Sequence, residues 1–133
     1  MEKILAFVIH ENKILLLLSS DKDPQFHKSF WYTVTGAYEE IDDYLEDTVR
    51  REVLEETGLN VNKIIDLNWI FEYDSLGKYC IEHAYIAYTE NNIVKLNEEN
   101  IEYKWCELDK YINEIKWYSD KNELRNVLKQ YLI

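Results

Sequence analysis

The sequence predicts an α/β fold in which helices pack on a mixed β-sheet. Three observations point to it. Apolar, β-branched runs recur between turns, a charged segment between Gly36 and Gly58 has helical periodicity, and the last segment repeats apolar residues at helical spacing. Of the 133 residues, 47% are apolar and 14% aromatic, which is enough for a core. We therefore expect one globular domain over residues 1–133.

The chain begins with a predicted β-hairpin. Ile4–Ile9 and Lys13–Leu18 are apolar runs on either side of a short polar turn, which is typical of two paired strands. The polar stretch Ser19–Ser29 follows and holds the only proline, Pro24, so we expect a loop there.

A strand and a helix come next. Phe30–Thr35 is aromatic and β-branched, which predicts a short strand ending at the next glycine. Asp43–Thr57 is predicted to be helical, with Asp43 as its N-cap and Glu46 completing a capping box. Gly58 is the expected helix stop.

The second half is predicted to be mostly strands with one final helix. We expect three strands, at Ile64–Tyr73, Lys78–Thr89 and Tyr103–Leu108, and a final helix at Lys121–Leu132. Alternation along the second of these strands gives it two faces, one with Tyr79, Ile81, His83, Tyr85 and Ala87 and the other with Cys80, Glu82, Ala84, Ile86 and Tyr88.

The net charge of the chain disfavours some classes of binding partner. Lys and Arg number 15 and Asp and Glu number 26, so the net charge is −11. This balance disfavours long nucleic acids and anionic membranes. We see neither a signal peptide nor an apolar run of the ~20 residues that a membrane helix needs. The two cysteines lack metal-ligand spacing, so we expect free thiols and a cytoplasmic protein.

The predicted helix concentrates carboxylates at the edge of its apolar stripe. At about 100° per residue, Glu52 and Glu56 fall in the same sector as the stripe, and Glu55 lies beside them. The stripe consists of Leu45, Val49 and Val53. An acidic helix is usually a solvated face with ion pairs, and Arg51 with Glu55 fits that interpretation. Glu52 with Glu56 does not, because like charges four residues apart destabilise a helix and call for a counter-charge such as Mg²⁺ or Mn²⁺.

The segment from Gly36 to Leu59 resembles the Nudix box, whose pattern is G-x5-E-x7-R-E-U-x-E-E-x-G-U, with U a bulky aliphatic residue. The second half matches in register at Arg51, Glu52, Val53, Glu55, Glu56, Gly58 and Leu59. The first half departs at two positions. The first glycine falls on Ala37, with Gly36 just before it, and the first glutamate falls on Asp43.

The resemblance implies a Nudix-type α/β/α sandwich with a mixed central sheet. It also implies that Mg²⁺ or Mn²⁺ is held by Glu52, Glu55 and Glu56, close to the backbone of Gly36. Arg51 would orient this cluster through Glu55 or Asp43. The backbone at Ala37 would approach the diphosphate of the substrate.

The resemblance leaves the general base open between a box glutamate and one from a later loop. Glu99, six residues before Trp105, aligns best with the later-loop glutamate, and Glu98 and Glu102 are its competitors.

Substrate contacts can be suggested only from residue type. Trp31, with Phe30 and Tyr32, is a candidate for stacking on a nucleobase, although strand aromatics are more often core. Lys28 and His27 precede that strand and could meet phosphates.

Outside the box, Phe30–Gly36 and Glu98–Trp105 are similar to segments of the bacterial Nudix branch that acts on nucleoside or pterin triphosphates. The implied activity is hydrolysis of a phosphoanhydride bond in a nucleoside diphosphate-linked compound, first of all a (deoxy)nucleoside triphosphate giving monophosphate and pyrophosphate. Alternatives are a dinucleoside polyphosphate, the 5′ end of an RNA, or a Nudix-fold nucleotide-binding module that has lost catalysis, which the departures at Ala37 and Asp43 raise. We expect a small nucleotide as partner, no long nucleic acid and no membrane. A homodimer, common in the family, stays open.

Overall fold

The computed structural model describes residues 1–20 and 28–133. Within these residues the strands are β1 (Glu2–His10), β2 (Lys13–Ser19), β3 (Trp31–Tyr32), β4 (Val34–Ala37), β5 (Val61–Ser75), β6 (Lys78–Thr89) and β7 (Asn100–Cys106). The helices are α1 (Leu45–Thr57), α2 (Leu108–Glu114) and α3 (Lys121–Leu128), and a 3₁₀ turn (Lys129–Tyr131) follows α3. None of the described helices combines the length and the apolar character that crossing a bilayer requires. Part of the predicted loop, including Pro24, lies outside the described residues.

Strand β1 is the centre of the mixed sheet. It pairs in parallel with β6 and antiparallel with β2 and β4. The strand order is β3-β2-β1-β6-β5, with β4 also beside β1 and β7 also beside β2. The predicted hairpin is confirmed, since Ile9 lies opposite Ile14 across the turn.

The sheet is covered by helices on both faces, which confirms the predicted three-layer α/β/α arrangement. Alternate residues of β1 enter two separate cores because a strand points successive side chains to opposite faces. The core under α1 contains Ile4, Ala6, Val8, Val49 and Val53. The core under α2 and α3 contains Leu5, Phe7, Ile9, Tyr111, Leu124 and Leu128.

The predicted strand Phe30–Thr35 is divided in two. Its first part pairs with β2, where Tyr32 lies opposite Leu17, and its second part pairs with β1, where Thr35 lies opposite Leu5. The chain changes partner at Thr33, whose hydroxyl donates a hydrogen bond to the carbonyl of Ala6 at 2.5 Å.

The predicted start of helix α1 is wrong, and its predicted end is confirmed. Tyr44 is the N-cap, and its N–H donates to Oδ2 of Asp47 at 2.9 Å, whereas Asp43 is exposed. Gly58 ends the helix in the left-handed conformation, with φ of 73°, and its N–H donates to the carbonyl of Leu54.

Two further differences concern the C-terminal part. Helix α2 was not predicted, because its seven residues are too short to show a clear period. The last helix ends at Leu128 rather than Leu132 and continues as the 3₁₀ turn.

Candidate active site

The carboxylates of helix α1 separate into a buried pair and an exposed member. Glu56 is only 6% exposed and the Glu52 side chain 13%, whereas the Glu55 side chain is 54% exposed. The helix therefore turns Glu52 and Glu56 towards the sheet and leaves Glu55 at the rim. The carboxyl groups of Glu52 and Glu56 lie within hydrogen-bonding reach of each other.

This pair is short of positive charge. Burial raises the pKa of Glu56 well above its usual value, and the negative charges of Glu99 and Glu52 raise it further. Burial also raises the pKa of Glu52, although the Arg51 charge opposes the shift. Two carboxyl groups whose pKa values are raised by burial and by neighbouring carboxylates form a site that gains from a bound cation.

Gly36 at the end of β4 makes room for Glu52. A Cβ atom at residue 36 would overlap the Cγ and Cδ atoms of Glu52. The glycine is therefore required by close approach, since only a residue without a side chain lets this carboxylate reach the strand. The next residue, Ala37, accepts a hydrogen bond at its carbonyl from Nη2 of Arg51 at 2.9 Å.

Arg51 is anchored by Asp42. Its Nε donates to Oδ1 of Asp42 at 3.1 Å and its Nη2 to Oδ2 at 2.8 Å. Asp42 is 4% exposed and also accepts from the Thr48 hydroxyl and from the Glu39 N–H. These bonds, led by the one from Arg51, lower the pKa of Asp42 from 3.8 to about 2.

The expectation that Asp43 partners Arg51 is therefore wrong, because Asp43 is exposed and the preceding residue makes the bonds. Both departures from the box have one cause: the residues that fill its glycine and first glutamate positions, Gly36 and Asp42, each lie one residue earlier than the pattern places them. Gly36 and Asp42 keep the five-residue spacing of the family pattern, and the extra residue lies between Asp42 and Arg51. That retained spacing was the signal in the sequence that could have identified Asp42.

The other anion partners of Arg51 meet at Nη1. This atom lies 2.9 Å from Glu52 Oε1, 3.0 Å from Glu39 Oε2 and 3.6 Å from Glu55 Oε2. Arg51 therefore orients Glu52 and Glu55, as the resemblance implies, from a position that Asp42 fixes.

The start of β7 closes the other side of the acidic pair. Asn100 donates from Nδ2 to Oε1 of Glu56 at 3.2 Å. The adjacent Glu99 is exposed, and its carbonyl accepts from the Ser20 N–H at 2.9 Å. Among the three later-loop candidates, it is Glu99 whose charge helps to raise the pKa of both Glu52 and Glu56. The structure thus brings Glu99 to the acidic pair.

The donor set fits a hard divalent cation. Glu52, Glu55, Glu56 and Glu99 supply only oxygen ligands, which Mg²⁺ and Mn²⁺ prefer. Among the described residues, however, no three Asp, Glu, His or Cys side chains already stand as a ready-made cation site. Arg51 donates a hydrogen bond to Glu52, and Asn100 donates one to Glu56, so each of these carboxylates already has a protein donor.

A cavity of about 570 Å³ opens on the opposite face of the sheet. Its aromatic lining residues are Phe30, Tyr32, Phe71, Tyr73, Trp117 and Tyr118. Glu82 lies in it with 4% exposure and accepts from the Tyr73 hydroxyl at 3.0 Å. The sequence analysis did not select Glu82, although a carboxylate on an otherwise apolar strand face was a usable signal.

The residues suggested as substrate contacts do not all lie at the cavity. Phe30 and Tyr32 line the cavity, whereas Trp31 is not one of its lining residues; the Lys104 ammonium lies over the Trp31 ring, 4.1 Å from its centre. Lys28 is exposed, and His27 lies outside the described residues.

Comparisons with known proteins agree on one family. The NUDIX domain model matches residues 2–128. The NAD-capped RNA hydrolase NudC of Mannheimia succiniciproducens is 28% identical over 110 residues, which are 80% of this chain and 39% of that protein. This chain thus spans about two fifths of the length of that curated relative.

Solved structures show the same fold. The MutT protein of Methanosarcina mazei Go1 superposes with a TM-score of 0.75 at 24% identity, covering 98% of this chain and 91% of that chain. The NUDIX domain of Shewanella oneidensis NrtR, solved in complex with ADP ribose, has a TM-score of 0.75 at 19% identity, covering 98% and 87%.

Proposed function

The chain belongs to the NUDIX family of hydrolases, and on that premise we propose that it hydrolyses a phosphoanhydride bond of a nucleoside triphosphate, releasing a monophosphate and pyrophosphate. The observation that carries this proposal is the buried Glu52–Glu56 pair, which lies against Gly36 and faces Glu99. A buried acidic pair is costly to keep unless the site uses its charge.

We propose that Glu52, Glu55, Glu56 and Glu99 hold Mg²⁺ or Mn²⁺. The bound cation would neutralise phosphate oxygens and lower the pKa of a water. The chain is acidic, with a net charge of −11, so a triphosphate needs such a cation to approach the carboxylates.

The other residues near the acidic pair have separate roles in the proposed reaction. Arg51, fixed by Asp42, holds Glu52 and Glu55 in orientation. The backbone at Gly36 and Ala37 lies beside the carboxylates and offers a close approach for the diphosphate. Glu99 is exposed beside the pair, so its carboxylate can accept the proton of the attacking water and return it to solvent. The new bond joins the water oxygen to phosphorus, and the bond to the leaving pyrophosphate breaks.

A dinucleoside diphosphate is the second candidate substrate. The curated relative is named as an NAD-capped RNA hydrolase, and one structural neighbour was solved with ADP ribose. NAD and ADP ribose both contain a diphosphate, which joins adenosine to a second nucleoside in NAD and to ribose in ADP ribose, and the same chemistry would cleave it. The negative charge of this chain favours the free dinucleotide over long RNA.

The test is a product analysis over a panel of nucleoside triphosphates, NAD and ADP ribose, with Mg²⁺ or Mn²⁺. We expect pyrophosphate from at least one triphosphate, and loss of that activity in Glu56→Gln. Glu46→Gln is the matched control, because Glu46 is an exposed carboxylate of the same helix. Binding of nucleotides without turnover of any panel member would instead support a binding module, and activity that survives both Glu56→Gln and EDTA would contradict the proposed site.

A further inference from the structure

The ladder between β2 and β7 contains a one-residue irregularity beside the acidic pair. Leu18 lies opposite Glu102, and the next residue of β2, Ser19, lies opposite Asn100. The ladder therefore skips Ile101, which is 55% exposed. An extra residue on one strand of an antiparallel pair is a β-bulge, and a bulge changes the direction of the side chains beyond it.

The bulge places Asn100 on the face of the sheet that α1 covers. Leu17 belongs to the core under α1 and lies opposite Tyr103, so Tyr103 is on that face. Regular alternation from Tyr103 would give the same face to Ile101 and the other face to Asn100. Because the ladder skips Ile101, Asn100 takes that place instead, and its Nδ2 donates to Oε1 of Glu56 at 3.2 Å. The two residues are 44 positions apart in the chain, so strand register brings them together.

An amide donor holds the Glu56 carboxylate without neutralising it. Glu56 is only 6% exposed, and its negative charge is what the proposed cation site needs. A lysine or arginine at this place would also fix the carboxylate, but its positive charge would repel the cation. The asparagine N–H occupies one of about four lone-pair positions of a carboxylate, so the remaining positions stay available for a cation.

We propose that Asn100 is a positioning residue for the reaction, which fixes the Glu56 carboxylate in the orientation that binds Mg²⁺ or Mn²⁺, and that the bulge at Ile101 presents it to Glu56. A carboxylate that is oriented before the cation arrives loses less conformational freedom on binding, so the affinity for the cation is higher. The inference rests on the proposed function, since it takes Glu56 as a ligand of the cation.

Calorimetric titration of Mn²⁺ into the nucleotide-free protein tests this inference. Asn100→Leu removes the donor and keeps a side chain of similar shape. We expect its Kd for Mn²⁺ to rise about 10–100-fold, the usual cost of losing a hydrogen-bonding partner of a metal ligand. Asn126→Leu is the matched control, because it makes the same change at an exposed position of α3, on the other face of the sheet, and it should bind Mn²⁺ as the parent does. An unchanged Kd in a folded Asn100→Leu would overturn the proposal.

Turnover at varied Mn²⁺ concentration separates positioning from a merely structural role. In Asn100→Leu the Mn²⁺ concentration for half-maximal turnover should rise with the Kd. The kcat at saturating Mn²⁺ should fall much less, because saturation compensates for the lost orientation of Glu56. An equal loss of turnover at every Mn²⁺ concentration would overturn the proposal.

The two measurements also distinguish failure of this inference from failure of the proposed function. If the parent binds Mn²⁺ but hydrolyses no nucleotide, the proposed function fails, and weaker Mn²⁺ binding by Asn100→Leu still supports the role of Asn100. If the parent is active and Asn100→Leu binds Mn²⁺ equally well, only the role of Asn100 fails. Should Asn100→Leu not fold, Asn100→Ala is expected to show the same weaker binding, and parent-like affinity in that variant would overturn the proposal.

Discussion

The Arg51 guanidinium binds both carboxylate oxygens of Asp42, with Nε 3.1 Å from Oδ1 and Nη2 2.8 Å from Oδ2. This bidentate pair joins the loop before α1 to the middle of the helix. Since Arg51 also holds Glu52 and Glu55, the position of the acidic cluster depends on a residue that does not belong to the cluster. Asp42 is therefore expected to matter for both stability and turnover.

Asp42→Asn should lower the free energy of unfolding by about 2–3 kcal/mol, because it leaves the half-buried Arg51 charge with weaker partners. Asp43→Asn is the matched control, since the same change is made one residue later at an exposed position. The control should stay within about 0.5 kcal/mol of the parent. Urea unfolding of the three proteins measures the difference, and equal losses in both variants would contradict the assignment of Asp42.

The same pair predicts a specific pH dependence. Hydrogen bonds from Arg51, the Glu39 N–H and Thr48 lower the pKa of Asp42 from 3.8 to about 2. A carboxyl group whose pKa is lower in the folded state stabilises that state above its unfolded pKa, and the contribution is lost as pH falls through the folded pKa. The gap in unfolding free energy between the parent and Asp42→Asn should thus be constant above about pH 5 and shrink by about 2 kcal/mol between about pH 4 and pH 2. Parallel stability curves over that range would contradict the shift.

Gly36→Ala should separate activity from stability. A methyl group at residue 36 overlaps the flexible end of Glu52, so the carboxylate is displaced while the fold can adjust. We expect a change in unfolding free energy below about 1 kcal/mol, with a loss of about 100-fold in kcat/KM. Gly77→Ala should instead lower stability and keep activity. Gly77 has φ of 81° in open surroundings, so an alanine there should lower the free energy of unfolding by about 1 kcal/mol without touching the site. Full activity in Gly36→Ala would remove Glu52 from the metal site.

The sequence predicts those features that depend on local periodicity. The stripe of α1 identified the face that carries Glu52 and Glu56, because a helix repeats its side-chain directions regularly. The fixed spacing of the family pattern, counted back from Arg51, selects Asp43 instead of Asp42, because a loop can accommodate an extra residue that no periodicity reveals. Trp31 was chosen by residue type alone, and its direction depends on the partner that its short strand takes in the sheet.

The cavity could not be read from the chain because it depends on distant pairing. Lys3 and Glu82 become neighbours only through the parallel contact of β1 with β6. Phe71 joins them through the β5–β6 ladder, and Trp117 arrives from beyond α2. Alternation within β6 could indicate that Glu82 faces a core, but not that aromatic side chains from other segments leave a space in front of it.

The last prediction concerns the charge of the acidic pair itself. Burial and the charges of Glu99 and Glu52 raise the pKa of Glu56. A carboxyl group whose pKa is higher in the folded state destabilises that state as pH rises above its unfolded pKa of about 4.3. At neutral pH and without metal, Glu56→Gln should therefore be as stable as the parent or more stable, because it removes one charge and keeps the shape of the side chain.

With a divalent cation bound, the parent should instead be more stable than Glu56→Gln. A cation that binds only the folded parent stabilises it by about 2.7 kcal/mol at a hundred times its Kd, and the gain should weaken at lower pH as protons compete for the same oxygens. Glu56→Gln should gain much less from Mn²⁺ and lose most turnover, whereas Glu46→Gln should behave as the parent in both respects. Thermal melts of the three proteins at neutral pH, with and without Mn²⁺, measure this. If Mn²⁺ does not change the melting temperature of the parent, or raises that of Glu56→Gln by as much as that of the parent, the buried pair is not where the cation binds.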